Sequence, residues 1–185
     1  MNDERHIRDS KHLSFLLRHD KRVPHDNYGW VRMDDLMSLS RFDRERLFEI
    51  IGSDTRYELS QDGECIRAHH GHSVDVEYDR AVIPPEVLYH GTTQEGLSGI
   101  RSSGRIEKRR RTKVHLTGSV EYAHEVGNRR YGTGRAVVLR IDSKRMHDDG
   151  HTFYLSGDGV YLVEEVPLDY IEVLDQTDDQ TPNTL

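Results

Sequence analysis

Cysteine is almost missing from this chain. Its 185 residues include one, Cys65, which excludes an internal disulfide framework and a zinc ribbon built on cysteine pairs. Long apolar runs are missing as well, and none approaches the roughly 18 residues a membrane span needs. Met1-Asn2-Asp3-Glu4-Arg5 opens no apolar signal region, so the cytoplasm is the expected compartment. No G-x-x-x-x-G-K-[ST] occurs, which argues against a P-loop NTPase. No G-x-G-x-x-G follows a strand, so any dinucleotide has to bind outside a Rossmann fold. The serine-hydrolase elbow G-x-S-x-G and the zinc motif H-E-x-x-H are absent too. Nor is there an excess of positive charge: 26 basic against 33 acidic side chains give −7. Bulk charge therefore does not mark a nucleic-acid binder, although local clusters decide that question.

Charged residues make up 32% and hydrophobic ones 34%, enough for one good core or two modest ones. Residues 101–113 gather seven bases (Arg101, Arg105, Lys108, Arg109, Arg110, Arg111, Lys113) against Glu107 alone. Such a run either tracks an RNA backbone or is a solvated loop. The last eleven residues, Asp175 to Leu185, carry three acids and no base and are expected to be disordered. Histidine is plentiful, at 12. His69, His70 and His72 do not read as metal ligands, because neighbours on a strand point to opposite faces and no cysteine pair supports them. No metal is expected.

The adjacent prolines of Val82-Ile83-Pro84-Pro85 interrupt helix and ladder alike and place a boundary there, giving lobes 1–83 and 84–174. In the first lobe Ile7, Leu13, Leu16 and Leu17 form an apolar stripe at helical spacing that ends near His19-Asp20. A short extended piece at Gly29-Trp30-Val31 follows. Met33 to Leu39 reads as a short helix with Leu36 and Met37 inward. Asp43 caps a further helix with Leu47, Ile50 and Ile51, closed by Gly52. Tyr57-Glu58-Leu59 and Cys65-Ile66-Arg67-Ala68 flank an Asp-Gly turn and predict a hairpin. Helices plus a terminal hairpin suggest a winged helix. The second lobe is strand-rich, with helices after Thr92 and Ser119, which makes the whole chain α+β. Thr92 and Glu95 form a capping-box pattern, Val120, Ala123 and Val126 share a helix face, and Gly127 closes that helix.

Five short motifs carry chemistry, and each also has an ordinary structural reading. Arg18 and His19 end the first helix, where a base complements the helix dipole, yet together they form a forked donor set for an oxyanion. Arg67 faces away from the core on its strand, either solvated or set for an anion. Tyr89-His90-Gly91-Thr92 reads as a strand-to-helix corner where glycine lets a ligand approach the backbone, or as a capped turn. Val114-His115-Leu116-Thr117 is a strand end with a polar exit. Arg129, just past Gly127, either points into a cleft or pairs with a helix terminus.

In combination and order these residues resemble the Tpt1/KptA family of RNA 2′-phosphotransferases. The matching stretches are K-H-L-S-F-L-L-R-H at 11–19, G-W-V at 29–31, Y-E-L and I-R-A-x-x-G-H-S within 57–73, L-Y-H-G-T at 88–92, V-H-L-T at 114–117, V-G-x-R at 126–129 and G-V-Y-L at 159–162. The resemblance implies a winged-helix lobe joined to an ADP-ribosyltransferase-type lobe that binds NAD⁺, with NAD⁺ consumed. It further implies removal of an internal 2′-phosphate from RNA, leaving a 2′-OH, nicotinamide and ADP-ribose 1″,2″-cyclic phosphate. The family's Arg-His-Arg-Arg set falls on Arg18, His19, Arg67 and Arg129. Its NAD⁺ contacts fall on His90, Gly91, Thr92, His115, Thr117, Gly159 and Val160. Val160 stands where many protein-modifying relatives carry Glu, consistent with an acceptor phosphate that is already ionised. Two positions depart from the family: His70 replaces a frequent Gln, and Asp158 a frequent Asn. Two other readings stand beside this one: ADP-ribosylation of a terminal phosphate on RNA or DNA, and a winged-helix nucleic-acid binder without catalysis. The partners expected are RNA and NAD⁺, with no membrane, and the chain is expected to be a monomer.

Overall fold

The structure, a computed structural model, describes residues 2–79, 81–131, 136–157 and 159–174. Asp158 and the acidic segment 175–185 lie outside the described residues. The chain divides into two compact units. The first takes everything up to Ala81 together with Arg109–Thr112 and Tyr154–Val160. The second takes Val82–Lys108, Lys113–Phe153 and the chain from Tyr161 onward.

The first unit is three helices and a small sheet. Helix α1 (Asn2–His19) buries Leu13, Leu16 and Leu17, while Ile7 is left exposed. The stripe expected from Ile7 onward therefore packs only through its C-terminal half, because the core lies beside the last turns of the helix. Strand β1 (Val31–Arg32) leads into α2 (Met33–Leu39), which buries Met33 and Leu36, with Met37 partly buried. Helix α3 (Arg44–Gly52) starts where Asp43 accepts a hydrogen bond from the backbone N–H of Arg46, the expected cap. Strands β2 (Tyr57–Leu59) and β3 (Cys65–Ala68) then pair antiparallel, with β1 on the other edge of β3. The turn between them has Gly63 at φ +72°, and Asp62 accepts from Ser60 and Glu64. Ile66 and Ala68 point into the core and Arg67 points the other way, as the pleat requires. Asp9, also buried, binds Arg46 through Nε at 3.0 Å and Nη2 at 2.8 Å, tying α1 to α3. Truncating Leu17, wholly buried here, costs about 2–5 kcal/mol in such a core.

The chain passes from the first unit to the second along the short strand β4 (Ala81–Val82). The second unit is built round β5 (Val87–Thr93), paired antiparallel with β8 (Ala136–Asp142) over seven residues. The other elements are α4 (Gln94–Ser103), β6 (Arg105–Glu107), β7 (Val114–Leu116), α5 (Val120–Tyr131), α6 (Ser143–Asp148), β9 (Phe153–Leu155), β10 (Tyr161–Val163), β11 (Glu165–Pro167) and β12 (Ile171–Val173). Pairings β7–β10, β6–β11 and β8–β12 are all antiparallel. The core gathers Leu88, Val137, Leu139, Ile141, Met146 and Phe153. The fold is thus a mixture of helices and antiparallel sheets.

Three details differ from the sequence reading, each for a packing reason. β5 runs through Thr93, so His90-Gly91-Thr92 lies within a strand rather than at a corner. The cap of α4 is Thr93, whose hydroxyl accepts from Gly96 N–H at 3.1 Å, one residue later than expected. Helix α5, capped by Ser119 as expected, passes through Gly127 to Tyr131. Its inner face is Ala123 and Gly127, with Val120 and Val126 exposed. The glycines explain this. A Cβ on Gly91 would sit 1.8 Å from Ala123 O, and one on Gly127 would sit 2.9 Å from Thr92 O. The helix lies backbone against backbone on β5, and no larger residue fits that seam.

Candidate functional site

In the first unit, Arg18 and His19 close α1. The carbonyl of Arg18 is satisfied from a distant loop: Ser73 N–H donates to Arg18 O at 2.8 Å, and Val74 N–H at 3.3 Å. His19 Nδ1 is 2.9 Å from Ser73 Oγ. Gly71, at φ +89°, turns that loop beside Arg18, where a Cβ added to the glycine would sit 3.6 Å from Arg18 Cδ and Nη1. A third segment joins them, since Thr112 N–H donates to His72 O at 3.1 Å and Tyr78 Oη lies 3.4 Å from Thr112 Oγ1. Burial, and then the charges of Arg18 and Arg111, lower the His19 pKa from its ordinary value. Arg111 is thus a further cation at this cluster, and the sequence reading placed it only within a basic run. His72 is 2% exposed. Burial first, and then the charges of Arg18, His25, His70 and His19, push its pKa down to about 3, so it is neutral at pH 7.

Arg67 stands directly opposite Glu58 in the β2–β3 register. Its Nε and Nη2 reach Glu58 Oε2 at 2.9 Å and 2.8 Å. Its guanidinium lies over the Trp30 ring, 4.4 Å from the centroid. The same carboxylate oxygen is 3.7 Å from His69 Nδ1. A cavity of about 30 Å³, room for one water, is lined by Glu58, Arg67, His69, His72, Tyr78 and Ser156 among others. Gly159 (φ +82°) and Val160 close a turn on this unit, where Ser156 Oγ donates to Val160 O at 3.0 Å and accepts from Val160 N–H at 3.2 Å.

In the second unit the structure brings together His90, His115 and Thr117. Tyr89 and Thr117 exchange backbone hydrogen bonds of 2.7 Å and 3.0 Å, which joins the ends of β5 and β7. His90 Nδ1 lies 3.0 Å from His115 O. A carbonyl only accepts, so His90 Nδ1 carries a proton and donates it. Gly91, expected to admit a ligand to the backbone, instead admits helix α5. Arg129 lies inside α5 rather than beyond its end. It binds Glu125 Oε1 through Nη2 at 2.6 Å and Nε at 3.2 Å, and lies 5.4 Å over Tyr122. That carboxylate, its main partner, raises its pKa.

Three of the seven bases in the basic run meet carboxylates. Lys108 and Lys113 (2.7 Å) share Glu164, whose pKa they lower by hydrogen bonding, and Arg105 meets Glu107 at 3.1 Å and Glu165 at 3.4 Å. Arg111 differs from them, because Arg109–Thr112 clusters with the first unit.

An Arg-His helix end, a strand arginine braced by Glu58 and a neutral buried histidine all lie on the first unit of a two-unit protein of helices and antiparallel sheets. The model of the family described as RNA 2′-phosphotransferase, Tpt1/KptA family, matches residues 4–165. A protein of Streptomyces coelicolor named probable RNA 2′-phosphotransferase is 38% identical over 180 residues, covering 92% of this chain and 97% of its own. Proteins of the same name from Burkholderia lata and Rhodopirellula baltica are each 39% identical, covering 90% and 91% of this chain and 90% and 96% of their own. The chain belongs to the Tpt1/KptA family of RNA 2′-phosphotransferases.

Proposed function

We propose that this protein is an NAD⁺-dependent RNA 2′-phosphotransferase, with a winged-helix first unit and an ADP-ribosyltransferase-like second unit. The observation that carries the reading is the cluster of Arg18, His19 and Arg111, on the same unit as an Arg67 braced by Glu58 and Trp30. The side chains present suit the co-substrate. His90, anchored through Nδ1 on the His115 carbonyl, together with His115 and Thr117 supplies polar side chains suited to a hydroxyl-bearing ligand. Bound NAD⁺ supplies a ribose carbon that bears a cationic leaving group.

In the first step an oxygen of the RNA 2′-phosphate forms a bond to C1″, and the bond from C1″ to nicotinamide breaks. The nucleophile is already ionised, so the protein's task is to hold it in line. Arg18 and Arg67 grip the phosphate. His19, kept mostly neutral near pH 7 by burial and its cationic neighbours, donates through one ring nitrogen and moves a proton. In the second step the ribose O2″ bonds to phosphorus and the bond to the RNA 2′-oxygen breaks. The 2″-hydroxyl gives up its proton and the departing 2′-oxygen takes one, leaving a 2′-OH and ADP-ribose 1″,2″-cyclic phosphate. Arg129 stabilises the negative charge that builds on the phosphoryl oxygens. Incubation with a short 2′-phosphorylated RNA and NAD⁺ tests the reading. Nicotinamide release with loss of the 2′-phosphate supports it, and an untouched phosphate contradicts it. An ADP-ribosylated 5′-phosphate strand as the main product would favour terminal-phosphate modification instead.

A further inference from the structure

We propose that Glu58 and Trp30 are positioning residues that hold the Arg67 guanidinium in one orientation and leave one of its edges for the RNA phosphate. This rests on the phosphotransferase reading for the ligand and on the fold for the geometry. A guanidinium has five N–H groups in a fixed plane. Glu58 engages the Nε and Nη2 side of that plane through one oxygen, at 2.9 Å and 2.8 Å. The Nη1–Nη2 edge is then the fork that matches a phosphate. Trp30 covers one face of the plane at 4.4 Å, which removes rotation about the last bonds of the side chain.

Both partners are set by backbone. Glu58 is the cross-strand neighbour of Arg67, so their side chains meet on one face of the sheet. Trp30 immediately precedes β1, which pairs with β3 at Val31 and Ile66. The arginine is mostly buried, with 16% of its side chain exposed, so the brace operates with little solvent screening. A flexible arginine has to be ordered when it binds, and this one is ordered beforehand. The same Oε2 lies 3.7 Å from His69 Nδ1.

Steady-state kinetics on a short 2′-phosphorylated RNA with NAD⁺ tests this in wild type, Glu58→Ala and Glu58→Gln, and again in an Arg67→Ala background. Glu58→Ala lowers kcat by about ten-fold or more, the scale of a lost charged hydrogen bond. Glu58→Gln, which keeps an acceptor oxygen, restores most of that rate. In the Arg67→Ala background the same change costs less than about two-fold, because the group it orients is gone. A Glu58→Ala enzyme as fast as wild type, or an equal loss in both backgrounds, overturns the inference. Trp30 is the single tryptophan, so its emission reads the arm without turnover. Titration with the same RNA and no NAD⁺ shifts the wild-type emission and leaves that of Arg67→Ala unmoved. An unmoved wild-type emission counts against the arm. An inactive wild type whose emission still shifts defeats the phosphotransferase reading and spares the arm. Should Glu58→Ala melt below the assay temperature, Trp30→Phe against Trp30→Leu carries the test: the rate holds with the ring and falls without it. Equal rates for the two overturn the proposal.

Discussion

His72 is the residue whose chemistry is furthest from ordinary. With a folded pKa of about 3 and an unfolded one near 6.5, it binds a proton in the unfolded chain well before it does so in the folded one. Its contribution is complete above pH 6.5 and is lost as pH falls toward 3. Between pH 7 and pH 5 stability drops by about 2 kcal/mol from this group. Urea unfolding at the two pH values, compared with His72→Phe, measures it, and the variant should lose the smaller amount. Arg18 is the other sensitive position. Arg18→Ala should slow turnover by roughly tens to hundreds of times, since a hydrogen bond to a charged group is worth about 1.5–3 kcal/mol. Single-turnover assays with saturating NAD⁺ check this.

What could be read at this scale followed chain proximity. Arg18 and His19 declare themselves at the end of an apolar stripe, and Arg67 alternates with Ile66 and Ala68. Glu58 sat in plain view as the middle of a predicted strand. Only the register across the hairpin turns it into the partner of Arg67. Arg111 was hidden inside a basic run, where nothing local separates it from Lys108 and Lys113. Its assignment depends on the Thr112–His72 hydrogen bond, which joins segments far apart in the chain.

At the scale of elements, the seam between α5 and β5 is the tightest feature of the second unit. Gly91→Ala would force a methyl group to 1.8 Å from a helix carbonyl, so backbone has to move. It should cost about 3 kcal/mol, toward the upper end of overpacking penalties. Gly99 in α4 provides the contrast, since a methyl group added there would meet nothing within 4 Å. Gly99→Ala should stabilise by about 0.5–1 kcal/mol through helix propensity alone. Thermal melts of the two variants read both predictions. The glycines also explain why sequence periodicity misplaced this region. A Val120–Ala123–Val126 face satisfies the helical period, but the real inner face is Ala123–Gly127, chosen by how closely backbones approach rather than by hydrophobicity. The caps at Asp43 and Ser119 were readable because their side chains act within three residues. Thr92 and Thr93 are both competent caps, and the length of β5 selects the second.

For the whole molecule, the chain leaves the first unit after Ala81, and the return of Arg109–Thr112 and Tyr154–Val160 to that unit was not visible in sequence. Loops that cross back carry no periodic signal of their own. In the proposed reaction phosphate capture falls to Arg18, His19 and Arg67 and the second transfer to Arg129. Arg129→Ala should therefore still release nicotinamide and accumulate ADP-ribosylated RNA, visible as a slower band on a denaturing gel. The most decisive experiment is a product analysis of wild-type protein with a 2′-phosphorylated RNA and NAD⁺. Equal amounts of free nicotinamide, 2′-hydroxyl RNA and ADP-ribose 1″,2″-cyclic phosphate are expected. Recovery of the RNA with its 2′-phosphate in place and NAD⁺ unspent would contradict the proposed reaction.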